Sequence, residues 1–285
     1  MLFCLGLLIG SPHSLFSQII PQPQRIKYAE GSFSFPEKVG ISLINDPLAS
    51  NLYTAQEINK SIREKLARST YLETKTQKAP IILSLISEED ALRQGIPVRH
   101  LQQSYRLTII NDKILIEASH PQGIFYGAQS LSQLIRHMSG NALQNQQILD
   151  WPKFEWRGMT EDLSRGQIPK KETFHKIIDF MARYKMNYYL FYLEDNLKID
   201  AYSEFGEDVA KLSKADVKEL VAYARKKFIT IIPYFPVIGH QAHLLGQSAF
   251  SQMAEFPGAA SFCVDCPLTY SFLEKVLNEI QDTFD

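Results

Sequence analysis

After residue 154 the sequence settles into a rhythm of strand, loop, helix and strand, and this constrains the fold more than any other feature. Residues 156–163 read as a strand. Residues 170–184 read as a helix with Phe174, Ile177, Ile178 and Met181 on one side. A second strand is predicted over 187–193, rich in Tyr and Phe. The string Ser213-Lys214-Ala215-Asp216 has the form of a capping box and opens a helix with Val217, Leu220, Val221 and Ala224 inward. Residues 228–235 predict a third strand containing Ile229, Ile231 and Ile232. Pro267 suits a first helical turn, and Leu268, Phe272, Val276, Leu277 and Ile280 form a last apolar stripe. Strands and helices alternating at this length predict a parallel sheet, either a barrel or a doubly wound layer.

The count of elements adds a further expectation. A (β/α)8 barrel takes roughly 250 residues, whereas this region has about 130 and about three strands. Three parallel strands leave open edges and uncovered helix faces. The sequence is therefore expected to be cut short.

Residues 18–150 predict a separate small α/β domain. Residues 41–44 read as a short strand, and 54–67 as a helix with Ile58, Ile62 and Leu66 on one face. Residues 81–86 form a continuous apolar run of the kind buried on both faces. Two β-rich runs flank Asn111-Asp112, a hairpin signal. Gly123 opens a further helix, with Ile124, Ala128, Leu131, Leu134 and Ile135 as its stripe, which ends near Gly140. The polar, Gln-rich residues 144–147 read as a lead towards a boundary at Trp151-Pro152, so 151–285 forms the second domain. Residues 2–9 are apolar and too few to span a bilayer as a helix. They fit the core of a signal peptide over 1–17, although no Lys or Arg precedes them, and the protein is expected to be exported to a periplasmic or extracellular destination.

Charge excludes some partners. Lys plus Arg number 30 against 31 Asp plus Glu, so there is no basic footprint for nucleic acid or an anionic membrane surface. Polar residues at the C-terminal ends of parallel strands are the site candidates. Here they are Asp162 and Arg165, then Glu194 and Asp195, then His240 and His243. Arg157 lies within the first strand, where a charge must be paired or ligand-bound. Each has a plainer reading: Asp162 as a turn cap or a neighbour to Arg157, Glu194-Asp195 as a solvated loop pair, His240 as a turn histidine. Gly-His-x-x-His is not a zinc spacing, and Cys263-Val264-Asp265-Cys266 lacks a second pair, so no metal is expected. The two cysteines form either a local disulfide or two free thiols.

The pattern Arg157-Gly158-x-x-x-Asp162-x-Ser164-Arg165 resembles the opening catalytic strand of family 20 glycoside hydrolases, the β-N-acetylhexosaminidases. The resemblance continues through Lys185-Met186-Asn187, Glu194-Asp195, the Pro233…Gly239-His240 stretch and Asn278-Glu279-Ile280. Upstream, Ile19-Ile20-Pro21-Gln22-Pro23-Gln24 and Gly123-Ile124-Phe125-Tyr126-Gly127-Ala128-Gln129-Ser130-Leu131 are similar to that family's accessory domain. The resemblance implies an accessory α/β domain followed by the first part of a (β/α)8 TIM barrel. It implies retaining hydrolysis of a terminal β-linked N-acetylglucosamine or N-acetylgalactosamine, with the substrate's own 2-acetamido oxygen as nucleophile and no cofactor. Arg157 would bind hydroxyls of the terminal sugar, and Glu194, Asp195 and His240 would form a polar network, supported by Asp162. The family usually has aspartate where Glu194 stands and where Pro236 stands. Its paired Asp-Glu, which orients the acetamido group and protonates the leaving oxygen, is expected beyond Asp285. A non-catalytic carbohydrate-binding protein of the same descent is the alternative, with an O-linked N-acetylglucosaminidase relative and a metal-dependent barrel hydrolase behind it.

Overall fold

The computed structural model describes residues 19–74, 76–206 and 210–285, so the leader expected at 1–17 lies outside the described residues. The chain divides into two compact units, Met1–Trp151 and Pro152–Asp285.

The first unit is built on a mixed sheet, seven-stranded among the described residues. In chain order its elements are β1 (Arg25–Ser34), β2 (Lys38–Ile44), α1 (Leu52–Leu66), β3 (Ser69–Thr74), β4 (Ile81–Leu85), α2 (Glu88–Arg93), β5 (Tyr105–Ile110), β6 (Lys113–Ala118), α3 (Pro121–His137) and β7 (Ala142–Asp150). The strand order is β1-β7-β5-β6-β4-β2-β3. The apolar run of β4 pairs in parallel with β2 on one side and β6 on the other, and Ile81, Ile82 and Leu83 are buried. The Asn111-Asp112 turn joins β5 to β6 as an antiparallel hairpin, with Ile109 opposite Ile114. Helices α1 and α3 pack together, and α3 is buried nearly all round. Gly123 makes that possible, because a Cβ there would stand 2.1 Å from the Ser104 carbonyl oxygen. Residues 144–147 lie inside β7, a strand hydrogen-bonded to both β1 and β5, rather than in a connecting segment.

The second unit holds three parallel strands, β8 (Gly158–Asp162), β9 (Tyr188–Tyr192) and β10 (Thr230–Tyr234), in the order β10-β9-β8. Helix α4 (Lys171–Arg183) joins the first two strands and α5 (Lys214–Arg225) joins β9 to β10. After β10 come the short α6 (Ala242–Gly246) and the long α7 (Pro267–Phe284). The Ser213 hydroxyl accepts from the Asp216 N–H at 3.1 Å and so caps α5, while Pro267 opens α7.

Period-two alternation sorts the strand side chains. Tyr189 and Phe191 are fully buried on the helix side, their rings 6.5 and 5.2 Å from Phe174 of α4. Burying each contributes about 1.5–3 kcal/mol. The opposite face is laid out in three rows by register: Gly158, Tyr188 and Thr230; Thr160, Leu190 and Ile232; Asp162, Tyr192 and Tyr234. Gly158 is required at its place, because a Cβ would sit 1.8 Å from the Tyr188 carbonyl oxygen.

The path from β10 to α7 folds on itself. Gln241 N–H donates to Ala260 O at 2.9 Å, Phe262 N–H to Ile238 O at 2.8 Å, and Cys263 N–H to Met253 O at 2.8 Å. Of the two readings of the cysteine pair, the structure takes the disulfide, Cys263–Cys266.

Candidate active site

The last of the three rows ends the strands at one edge of the sheet, and the chemistry gathers there. Tyr192 and Tyr234 are stacked, ring centres 5.3 Å apart and planes inclined by 24°. Asp162 lies on the other side of Tyr192 in the register. In the loop after β8, the Ser164 hydroxyl and N–H both donate to Asp162 Oδ1, at 2.7 and 3.0 Å. Desolvation pushes the Asp162 carboxyl up, but these two bonds and the Arg165 charge outweigh it and hold the group below its usual value.

Arg165 crosses to the next strand end. Its Nη1 donates to Glu194 Oε1 at 2.9 Å and to Ser164 Oγ at 2.5 Å, its Nε lies 3.6 Å from Asp162 Oδ2, and its guanidinium stands 5.6 Å from the Tyr192 ring centre. The same Glu194 Oε1 accepts from the Tyr192 hydroxyl at 3.2 Å. Desolvation first, then the charge and hydrogen bond of Glu194, raise the Tyr192 phenol above its ordinary value. Glu194 itself raises Arg165 by hydrogen bond and charge.

Asp195 points to a different partner. Its buried carboxylate makes a short contact with His243 Nδ1, contributed by α6. The next residue secures this loop, Asn196 Nδ2 donating to Ala210 O at 3.1 Å and Asn196 O accepting from Leu212 N–H at 2.7 Å.

Arg157 and His240 stand apart from these groups. Arg157 precedes β8, at the end of the strand away from Asp162, and its guanidinium is occupied by backbone carbonyls. Nε and Nη2 donate to Lys185 O at 2.9 and 2.6 Å, and Nη1 donates to Phe154 O at 2.6 Å. These bonds tie Arg157 to the main chain at the base of the sheet. The strand-end arginine is Arg165. His240 likewise does not reach Asp195. It is exposed, with a left-handed φ of 57°, held by the fully buried Gln241, whose Nε2 donates to Pro236 O at 2.7 Å. The imidazole that meets Asp195 belongs to His243.

Tyr192 and Tyr234 were not singled out from the sequence. The signal was present: along 188–192, alternate residues point to opposite faces, which separates Tyr192 from its buried neighbours Tyr189 and Phe191. No group of three or more His, Cys, Asp and Glu side chains that could hold a metal ion occurs among the described residues. Nor is any helix among them long and apolar enough to cross a membrane.

Comparison with known proteins sets this geometry in context. Among curated proteins, the chain is 27% identical over 285 residues to "Beta-hexosaminidase subunit A2" of Dictyostelium discoideum, covering 93% of this chain and 50% of that protein. It is 28% identical over 213 residues to "Beta-hexosaminidase" of Akkermansia muciniphila, covering 64% of this chain and 43% of the relative. The chain thus spans about half the length of the curated relatives it matches. Among solved structures, the GH20 β-N-acetylhexosaminidase of Streptomyces coelicolor superposes with a TM-score of 0.79 at 21% identity, over 94% of this chain and 57% of that one. The enzyme of Bacteroides fragilis gives 0.74 at 24% identity, over 94% and 55%. This likeness shows the fold, a small N-terminal α/β domain followed by the first part of a (β/α)8 TIM barrel. Residues 17–151 match the family model "Glycosyl hydrolase family 20, domain 2" and residues 154–285 match "Glycosyl hydrolase family 20, catalytic domain". With both family models together covering nearly the whole chain, the chain belongs to glycosyl hydrolase family 20.

Proposed function

We propose that the chain is part of an exported β-N-acetylhexosaminidase, a glycosidase that removes terminal non-reducing β-linked N-acetylglucosamine or N-acetylgalactosamine from glycans by a retaining, substrate-assisted mechanism. The observation that carries this reading is the Arg165 guanidinium, held by Glu194 at 2.9 Å beside the stacked Tyr192 and Tyr234 at the C-terminal ends of parallel strands. A forked donor beside aromatic faces suits a pyranose, whose vicinal hydroxyls accept two N–H bonds while its axial C–H face lies on a ring. Relatives named β-hexosaminidase, and a similar solved structure described as holding N-acetylglucosamine, support the choice of sugar.

On this reading Arg165 receives the hydroxyls, and Tyr192 and Tyr234 bear the ring. The Asp195–His243 pair supplies the polar wall next to the reacting end. Asp162 is not the proton donor, because its carboxyl is held below the usual range and stays ionised near neutral pH. The family resemblance implies a paired Asp-Glu for that role. A disulfide at Cys263–Cys266 supports an oxidising destination and therefore export.

The direct test is calorimetric titration of chain 1–285 with N-acetylglucosamine. Saturable one-to-one binding that is weakened by Arg165→Ala and untouched by the matched addition of glycerol is expected. A cooperatively folded chain that takes up no heat at any sugar concentration would overturn the reading.

A further inference from the structure

The Cys263–Cys266 disulfide closes a loop with only two residues inside it, the arrangement in which a cross-link constrains the unfolded chain least. Hydrogen bonds already shape the same turn. Cys266 N–H donates to Cys263 O at 3.4 Å, Cys263 N–H to Met253 O at 2.8 Å, and the Tyr270 hydroxyl to Val264 O at 2.8 Å.

Cys266 also stands at the cap position of α7, ahead of Pro267. The N–H groups of the first turn are directed towards that position, and the aligned peptide dipoles of an 18-residue helix place a partial positive charge there. A polar side chain at the cap ordinarily accepts from these N–H groups, but the sulfur, bound to Cys263, accepts from none. A second group is left without its bond. Thr269, the third residue of α7, is 2% exposed, and its hydroxyl has no hydrogen-bond partner among the described residues. The cap residue and the third helical residue face each other across the first turn, and here Thr269 N–H donates to Cys266 O at 3.0 Å. The oxidised pair therefore leaves a helix end uncapped and a buried hydroxyl unsatisfied. A thiolate on Cys266 answers both.

We propose that Cys263–Cys266 is an exchange site for small thiols, in which Cys263 takes the incoming thiol and Cys266 is the leaving group. The thiolate of a low-molecular-weight thiol attacks Cys263 Sγ. A mixed disulfide forms on Cys263 as the bond between the two protein sulfurs breaks, and the electron pair leaves on Cys266 Sγ, where the α7 N-terminus and the Thr269 hydroxyl receive it. A second small thiolate attacking the adduct releases the small disulfide and leaves Cys263 as a thiolate, which takes a proton from solvent. The protein thereby gains the two electrons that the two small thiols give up. Attack by Cys266 on the adduct reverses the first step, and the hydrogen bonds across the turn keep the sulfurs close enough for it. Asp265 lies between the two cysteines in the chain and weighs on both thiolates, so the helix end sets the direction. The site is independent of the carbohydrate reading.

The test exposes folded chain 1–285 to millimolar reduced glutathione, quenches with acid and locates the adducts by peptide mass spectrometry. Glutathione on Cys263 is expected to exceed glutathione on Cys266 about tenfold, because the better leaving group departs faster. Thr269→Val, which removes the hydroxyl and keeps the branched shape, is expected to bring the ratio below about threefold, and Thr269→Ser to restore it. Thr269→Ala makes the same comparison if the valine variant does not fold. Equal adducts on the two cysteines overturn the proposal, as does a ratio that loss of the hydroxyl leaves unchanged. A disulfide that stays closed in millimolar glutathione overturns it too, and marks the bond as structural only.

Discussion

Tyr192 and Tyr234 occupy paired register positions at the ends of β9 and β10, with their rings 5.3 Å apart. Truncation by Tyr234→Ala is expected to weaken N-acetylglucosamine binding by roughly 3- to 10-fold, the loss of one aromatic contact of about 0.5–1.5 kcal/mol. Urea unfolding of the same variant is expected to stay within about 0.5 kcal/mol of the parent. A large loss of stability with unchanged affinity would assign the ring to the core instead.

His243 and His240 lie three residues apart and make opposite predictions. His243→Ala strips the imidazole from an Asp195 carboxylate that is only 4% exposed, and is expected to cost about 1–3 kcal/mol of unfolding free energy, the penalty for a buried group left unpaired. His240→Asn keeps a residue type that tolerates left-handed backbone, and is expected to change stability by less than about 0.5 kcal/mol. Reversal of that order in chemical denaturation would mean that His240 is the partner of Asp195.

Glu279 ties α7 to the loop after β9. It accepts from the Asp200 and Ala201 N–H groups, both at 2.8 Å, and from Lys214 Nζ at 2.5 Å. Desolvation raises its carboxyl, but the Lys214 bond and the two backbone donors prevail and lower it. A carboxyl lowered on folding contributes stability that is complete above its unfolded pKa and disappears as pH falls through the folded value. Glu279→Gln is thus expected to be about 1–3 kcal/mol less stable than the parent near pH 7. The gap should close as pH falls below the ordinary glutamate range and through the lowered folded value, where the parent glutamate takes up its proton. A gap that stays constant down to pH 2 would show that the carboxylate charge is not what matters.

Purified chain 1–285 is expected to release no 4-nitrophenol from 4-nitrophenyl N-acetyl-β-glucosaminide. Asp162 is held ionised at the strand ends, and the Asp-Glu pair that the family resemblance implies is not among these residues. Measurable turnover, surviving gel filtration with the chain, would show that a proton donor is already present in it.

What the sequence discloses follows the strength of each local signal. The Asn111-Asp112 hairpin and the Ser213 cap are set by neighbours within a few residues, and both form as read. Strand β7 escaped because its Gln144, Gln146 and Gln147 look like loop. In fact Gln144 and Gln147 are exposed on a strand whose Leu143, Asn145 and Ile148 are buried, an alternation hidden by polar residues on both faces. The site divides in the same way. Strand-end position alone picked out Asp162, Glu194 and Asp195. Choosing between Arg157 and Arg165, or between His240 and His243, depended on how the chain turns after β8 and β10. Those turns rest on long-range hydrogen bonds, such as Gln241 N–H to Ala260 O, that no sequence window contains.

The two arginines that bracket β8 illustrate a division with consequences for inheritance. Arg157 closes three carbonyls at the base of the sheet, and Arg165 faces the partner acid at its other end. An allele that loses Arg157 should yield little protein, with normal affinity in what survives proteolysis. An allele that loses Arg165 should yield abundant, well-folded protein with weakened affinity for the proposed sugar. Only the first kind of lesion could be relieved by low temperature or a compensating stabilising change elsewhere in the gene.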